Sequence, residues 1–181
     1  MLSPLINASA DRRVVRVEPR PCKDSIAHVR FIVRMKGAYC LLMLLEEDTS
    51  LCVGALGRVF FPKGVYAYVG SAQGGIEQRV RRHLGETKRK RWHIDHFLSV
   101  ARTVTVVSIP TDRKSSECIT AKSLLRSPTA QAVVRGFGSS DCRCESHLIH
   151  FKGDEYDDIL EMVVGHVSMF FCPYPETLRP A

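Results

Sequence analysis

The sequence predicts an α/β fold of the α+β kind, a small central antiparallel β-sheet flanked by helices. Three observations carry this. Residues 37 to 69 hold several short aliphatic and aromatic runs separated by turns of only a few residues. Parallel strands need crossovers of a dozen residues or more, so such short turns imply antiparallel pairing. Ile76, Val80 and Leu84 recur four residues apart and make one apolar helical stripe. A chain of 181 residues, 45% hydrophobic and 25% charged, fits one globular domain with short appendages.

The elements follow in order. Residues 1 to 34 mix Pro4, Pro19 and Pro21 with Arg12, Arg13, Arg16 and Arg20. No strand or helix period persists there, which predicts a flexible leader. The apolar run Gly37 to Leu45 has the length of a buried strand. A polar turn, Glu46 to Ser50, leads to two short strands, Leu51 to Gly54 and Arg58 to Phe61, broken by Gly54, Gly57 and Pro62. Val65 to Val69 is a strand with Tyr66 and Tyr68 on one face and Val65, Ala67 and Val69 on the other.

The helix of the apolar stripe ends at Gly85, and a basic loop runs from Lys88 to Arg91. A short helix over Trp92 to Leu98 points Ile94, Phe97 and Leu98 inward. Thr103 to Ile109, rich in Val and Thr, is a strand that stops at Pro110. Ser115 and Ser116 can cap a helix from Glu117 to about Arg126, stopped by Ser127 and Pro128. Gly136 to Asp141 is a loop, and Cys142 to Phe151 is expected as the final strand region. After an acidic linker, residues 159 to 172 form a helix or strand packed on the body. The expected organisation is therefore a leader at 1–34, one domain at 35–152 and an extension at 153–181.

The net charge is +7 and the pI about 9.2. That balance favours an acidic partner such as nucleic acid. The positive charge is concentrated: residues 79 to 91 contain Arg79, Arg81, Arg82, Lys88, Arg89, Lys90 and Arg91. Seven cysteines, an odd number, with no secretory signal pattern point to free thiols in a reducing, cytoplasmic compartment. No run reaches the roughly 18 apolar residues of a membrane span, so no membrane partner is expected.

The basic stretch adjoins a strand, a Gly-rich turn and a helix start, Gly64 to His83. The first N–H groups of a helix lack internal partners and suit an anion. Gly70, Ser71, Gly74 and Gly75 in the turn, with Arg82, Lys88, Arg91 and His93 nearby, are thus expected to contact phosphate. Arg is well shaped for such contacts.

These residues carry a resemblance. Gly37-Ala38-Tyr39, then Tyr68-Val69-Gly70, then a helix with Arg79 and His83, then Glu117 opening a later helix, is similar to the GIY-YIG nuclease superfamily. Tyr66 to Ala72, Arg82-His83, Arg91 to Asp95, Glu117-Cys118, Phe137 to Cys144 and His147-Leu148 resemble more closely one branch, known as domain of unknown function 123. The likeness covers about residues 35 to 152. It implies a three-stranded antiparallel sheet flanked by helices, and DNA phosphodiester hydrolysis with one divalent metal, Mg²⁺ or Mn²⁺. Members of the branch are sometimes fused to an endonuclease III-type repair glycosylase, which implies such an enzyme as a partner beside DNA itself.

Carried over by position, the resemblance makes Tyr39, Tyr68, Arg79 and Glu117 catalytic, with His83 beside them, and Glu117 the metal ligand. The residue types suit that chemistry. A tyrosine can take a proton from water, Arg can stabilise charge on phosphate, and one carboxylate can hold Mg²⁺. Residues 40 to 67 are a longer spacer between the two motifs than a simple hairpin. Gly64-Val65-Tyr66 also imitates the first motif, so Tyr39, Tyr66 and Tyr68 all stand as candidates for the base, with Tyr68 the first choice.

Cys142, Cys144 and His147 raise a zinc site as a weaker expectation, since thiolate and imidazole are suitable ligands. The Cys-x-Cys spacing is shorter than usual, and His147 and His150 would face opposite ways on a strand. Zinc is therefore not the expected cofactor. A module that binds nucleic acid without cutting it is the alternative to the nuclease.

Overall fold

The computed structural model describes residues 35–85, 89–153 and 155–168, with side chains to residue 165. The expected leader at 1–34, Lys88 and residues 169–181 lie outside the described residues. A five-stranded sheet has the order β5-β1-β4-β7-β6, every neighbouring pair antiparallel. Its strands are β1 (Gly37–Leu45), β4 (Gly64–Ala72), β5 (Arg102–Pro110), β6 (Ala130–Ala132) and β7 (Leu148–Phe151). A separate hairpin pairs β2 (Thr49–Cys52) with β3 (Arg58–Phe61). The helices are α1 (Ile76–Leu84), α2 (His93–Phe97), α3 (Ser116–Leu124) and α4 (Tyr156–Ser168). The α+β class is as expected, while the sheet has five strands rather than the three that the resemblance implies.

The alternation of side chains along a strand explains the layering. In β1, Tyr39, Leu41 and Met43 point into one core and Ala38, Cys40 and Leu42 into the other. The first core is closed by Ile76 and Val80 of α1, Ile94 and Phe97 of α2, and Phe61 of the hairpin. The second is closed by Ala121 and Leu124 of α3 and by Ile159, Leu160 and Val163 of α4. A strand covered on both faces reads as a continuous apolar run, which is the pattern of Gly37 to Leu45. The same rule holds for β4, where Tyr66 and Tyr68 face the first core and Val65, Ala67 and Val69 the second.

The long spacer between the tyrosine motifs is the β2–β3 hairpin. It lies over the first core, with the Phe61 ring 5.0 Å from that of Phe97 and edge-on to Phe137. Aromatic pairs at such distances contribute beyond simple burial. The expected strand at Leu51 to Gly54 starts and stops two residues earlier, because Val53 and Gly57 close a short 3-10 turn.

Two other expectations are corrected. Only Leu148–Phe151 of the region from Cys142 onward is strand. Residues 142 to 147 are irregular, with Cys142 N–H bonded to Ser139 and His147 N–H to Phe137. The helix expected from Glu117 to Arg126 spans Ser116–Leu124, and Ser115 makes no side-chain cap. Strand β6, only three residues long, has no counterpart in the sequence reading.

Leu42 is fully buried between β1 and the α3 side, whereas Phe60 on β3 is 55% exposed. Leu42→Ala is expected to cost about 2–5 kcal/mol through lost transfer energy and a cavity. Phe60→Ala should stay within about 0.5 kcal/mol. Urea unfolding monitored by circular dichroism checks both; equal midpoint shifts would contradict this account of the cores.

Candidate active site

Strand pairing places the first tyrosine. In the β1–β4 ladder Tyr39 stands opposite Gly70 and Leu41 opposite Tyr68. A Cβ on Gly70 would collide with the Tyr39 ring and hydroxyl. Gly70 is therefore required so that Tyr39 can lie across β4, a packing role in place of the expected phosphate contact. Gly75, at φ +127, occupies the position before α1, a conformation that favours glycine. The Ile76 N–H there donates to the Met35 carbonyl at 2.8 Å. The start of α1 is thus partly occupied by main chain, which weakens it as the anion cradle expected from the sequence.

A cavity of about 460 Å³ opens beside these strands. It is lined by Tyr39 and Tyr68 of the sheet, Ser71, Gln73 and Gly74 of the turn, Arg79 and His83 of α1, and Glu117 of α3. Arg91, Trp92 and His93 form another wall, and Gly138, Ser140 and Asp141 a third. Helix α3 packs in the second core, yet its first turn carries Glu117 to the same cavity as residues of the first core. All five residues expected to be catalytic therefore share one cavity. Gly70, Gly75 and Arg82, expected at phosphate, do not line it; Ser71, Gly74, Arg91 and His93 do.

Tyr39 is bound to the helix by a 2.7 Å hydrogen bond between its hydroxyl and His83 Nε2. On the other side of that imidazole, Nδ1 lies 3.5 Å from Asp95 Oδ1. Asp95 is buried, and burial by itself would raise its pKa. Its bonds outweigh that. Arg82 donates to both carboxylate oxygens at 3.0 and 2.8 Å, and the Arg91 and Trp92 N–H groups donate at 2.9 and 3.1 Å. Together they hold the Asp95 carboxyl well below the usual range. Arg82 is thus committed to Asp95. The sequence carried a signal for this, a carboxylate in the first turn of α2 placed to cap it, and Asp95 does accept the N-cap Trp92 N–H.

Burial pushes the phenols of Tyr39 and Tyr68 well above the ordinary tyrosine value, and nearby Arg79 only partly opposes this. Both are neutral phenols at neutral pH. Within the described residues the Tyr68 hydroxyl makes no hydrogen bond, whereas Tyr39 is joined to a base. Tyr66 donates to the Pro62 carbonyl at 2.5 Å and does not line the cavity.

Arg79 has no carboxylate partner among the described residues. Its guanidinium lies 4.4 Å from the Trp92 ring centroid, and that of Arg82 lies 3.8 Å away. Such contacts orient a cation without neutralising it. His93 accepts the Gly138 N–H on Nδ1 at 3.2 Å, and burial lowers its pKa. It stands as a neutral ring anchoring the 136–138 loop.

Cys118, Cys142, Cys144 and His147 converge beside Glu117, their ligand atoms all within 4.8 Å of one another. Sequence reasoning had the last three and missed Cys118. His150, by contrast, is engaged elsewhere, with Gln131 at 2.9 Å and the Lys63 carbonyl at 3.2 Å.

Fold and cavity define an α+β domain with a polar, cation-bearing site at the ends of two central strands. A family model described as a domain of unknown function, DUF123, matches residues 38–168. The chain belongs to that family. No curated protein and no solved structure matches it. Among the described residues, no helix is long and apolar enough to cross a membrane.

The Asp95 network makes a pH prediction. A carboxyl whose folded pKa is depressed stabilises the fold above its unfolded value, about 3.9, and that stability is lost as pH falls below it. Arg82→Met is expected to lower stability at pH 7 by about 1–3 kcal/mol, by leaving a buried charge short of a partner. It should also flatten the loss of stability on acidification below about pH 4. Denaturant titrations across pH 2.5 to 7 check this; an unchanged acid slope would contradict it.

Proposed function

We propose that the chain is a metal-dependent endonuclease that hydrolyses DNA phosphodiester bonds, as the resemblance to GIY-YIG nucleases implies. The observation that carries this reading is the convergence of Tyr39, His83, Arg79 and Glu117, from three separate elements, on one cavity. The net positive charge of the chain agrees with a polyanionic substrate.

The residues divide the work as follows. With His83 protonated on Nδ1, its Nε2 can accept the Tyr39 phenol proton across the 2.7 Å bond. Tyr39 oxygen takes a proton from the attacking water as its own proton passes to His83. Asp95, fixed as an anion, stabilises the imidazolium so formed. This arrangement favours Tyr39 over Tyr68 as the proton acceptor. The Tyr68 hydroxyl, unengaged among the described residues, is placed to orient water or phosphate. Arg79, with no carboxylate partner among the described residues, meets the charge that builds on the phosphoryl oxygens. Arg91, exposed at the rim, suits the DNA backbone.

The donor set also fits a hard divalent cation. Glu117 contributes a carboxylate to the cavity, and Asp141 lines the same cavity. Oxygen donors with room for water suit Mg²⁺ or Mn²⁺. Such an ion, when bound, would neutralise charge on the leaving oxygen.

The test is incubation with supercoiled, nicked and branched DNA in Mg²⁺ or Mn²⁺. Nicking that disappears on chelation is the expected result. Tyr39→Phe, Arg79→Ala and Glu117→Gln should each reduce the rate by about 100-fold or more with the fold retained. Arg79→Ala should also reduce the salt slope of DNA binding by about one. Salt-dependent binding without nicking under any divalent ion would sink the nuclease and leave a binding module.

A further inference from the structure

Four side chains lie together beside Glu117. Cys118 follows Glu117 in α3, Cys142 and Cys144 belong to the irregular segment before β7, and His147 ends that segment. His147 Nε2 is 3.5 Å from Cys142 Sγ and 4.0 Å from Cys118 Sγ. In a tetrahedral zinc site, Zn–S and Zn–N bonds of about 2.3 and 2.0–2.1 Å put sulfurs about 3.8 Å apart and sulfur about 3.5 Å from nitrogen. The two S–N separations lie within about 0.5 Å of that edge, and all four ligand atoms lie within 4.8 Å of one another, so a small closure completes the tetrahedron. Cys118, Cys142 and Cys144 are free thiols, half-buried, and His147 is fully buried.

We propose that Cys118, Cys142, Cys144 and His147 bind one zinc ion in a closed structural site. Three sulfurs and an imidazole exclude Mg²⁺ and Mn²⁺, which take oxygen ligands. Four protein ligands fill a tetrahedron and leave no position for a reactive water, so the ion is structural. Its place explains what it holds. Residues 142 to 147 form no strand and are held by a few main-chain bonds, chiefly at Glu145 and His147, yet Ser140 and Asp141 just before them wall the cavity. Zinc ties that segment to the first turn of α3.

It also reaches the neighbouring carboxylate. His147 Nδ1 lies 3.0 Å from Glu117 Oε1, though not aligned as a hydrogen bond. A metal on Nε2 fixes the Nδ1–H tautomer, and a carboxylate beside that N–H is the usual outer partner of a zinc-bound histidine. The site stands whether or not the chain cleaves DNA.

The test is on the full chain, purified under reducing conditions. Elemental analysis should find one zinc per chain. After removal by chelator, Co²⁺ should bind at one equivalent with thiolate charge-transfer and tetrahedral absorption bands. Cys118→Ser and Cys142→Ser should each lose the metal, while Cys52→Ser, exposed on β2, should keep it. Because ligand variants can fail to fold, alkylation of the wild-type protein gives a second readout. Zinc should protect Cys118, Cys142 and Cys144, and chelation should expose them together. Three outcomes overturn the site: no zinc and no cobalt bands, an unchanged cobalt spectrum in Cys118→Ser, or a disulfide between two of the three cysteines in the isolated protein.

Discussion

The antiparallel pairing of β1 with β4, in the register that sets Tyr39 against Gly70, is the constraint on which the rest is built. It fixes which side chains enter each core, because a slip of one residue would exchange the two faces. It also lays Tyr39 across a strand at the only residue type that admits it. With β1 and β4 covered on both sides, helices from either layer can reach the strand ends. That is how α1 and α3, which pack in different cores, supply Arg79 and Glu117 to one cavity.

A second layer of control lies in charge. Asp95 is buried, yet stays ionised because Arg82 and two backbone amides satisfy it. A buried charge without such partners would be strongly destabilising. With them, it links α1 to α2 and stands behind the imidazole that holds Tyr39. Arg82 and Arg79, three residues apart on one helix, thus have different fates. One is neutralised, and the other keeps its charge at the cavity.

Much of the fold could be read from pattern. The apolar run of β1, the alternation in β4 and the Ile76, Val80, Leu84 stripe of α1 each carry a periodicity that burial enforces. What escaped was short or distant. The three residues of β6 have too little length for a period, and their pairing with β7 is set by tertiary packing. The cavity residues Tyr39, Tyr68, Arg79, His83 and Glu117 came through resemblance, with residue type as support. The commitment of Arg82 to Asp95 did not, since an Arg on a basic helix carries no mark of its partner. Nor did the approach of Cys118 to Cys142 and Cys144, which are separated by α3 and β6.

Trp92 is the only tryptophan of the chain, and it sits half-exposed beside two guanidinium groups at the cavity edge. Its intrinsic fluorescence therefore originates at one place in the molecule. An anion bound at Arg79 would change the field over the indole ring, so the emission would report occupancy of the cavity without an attached label.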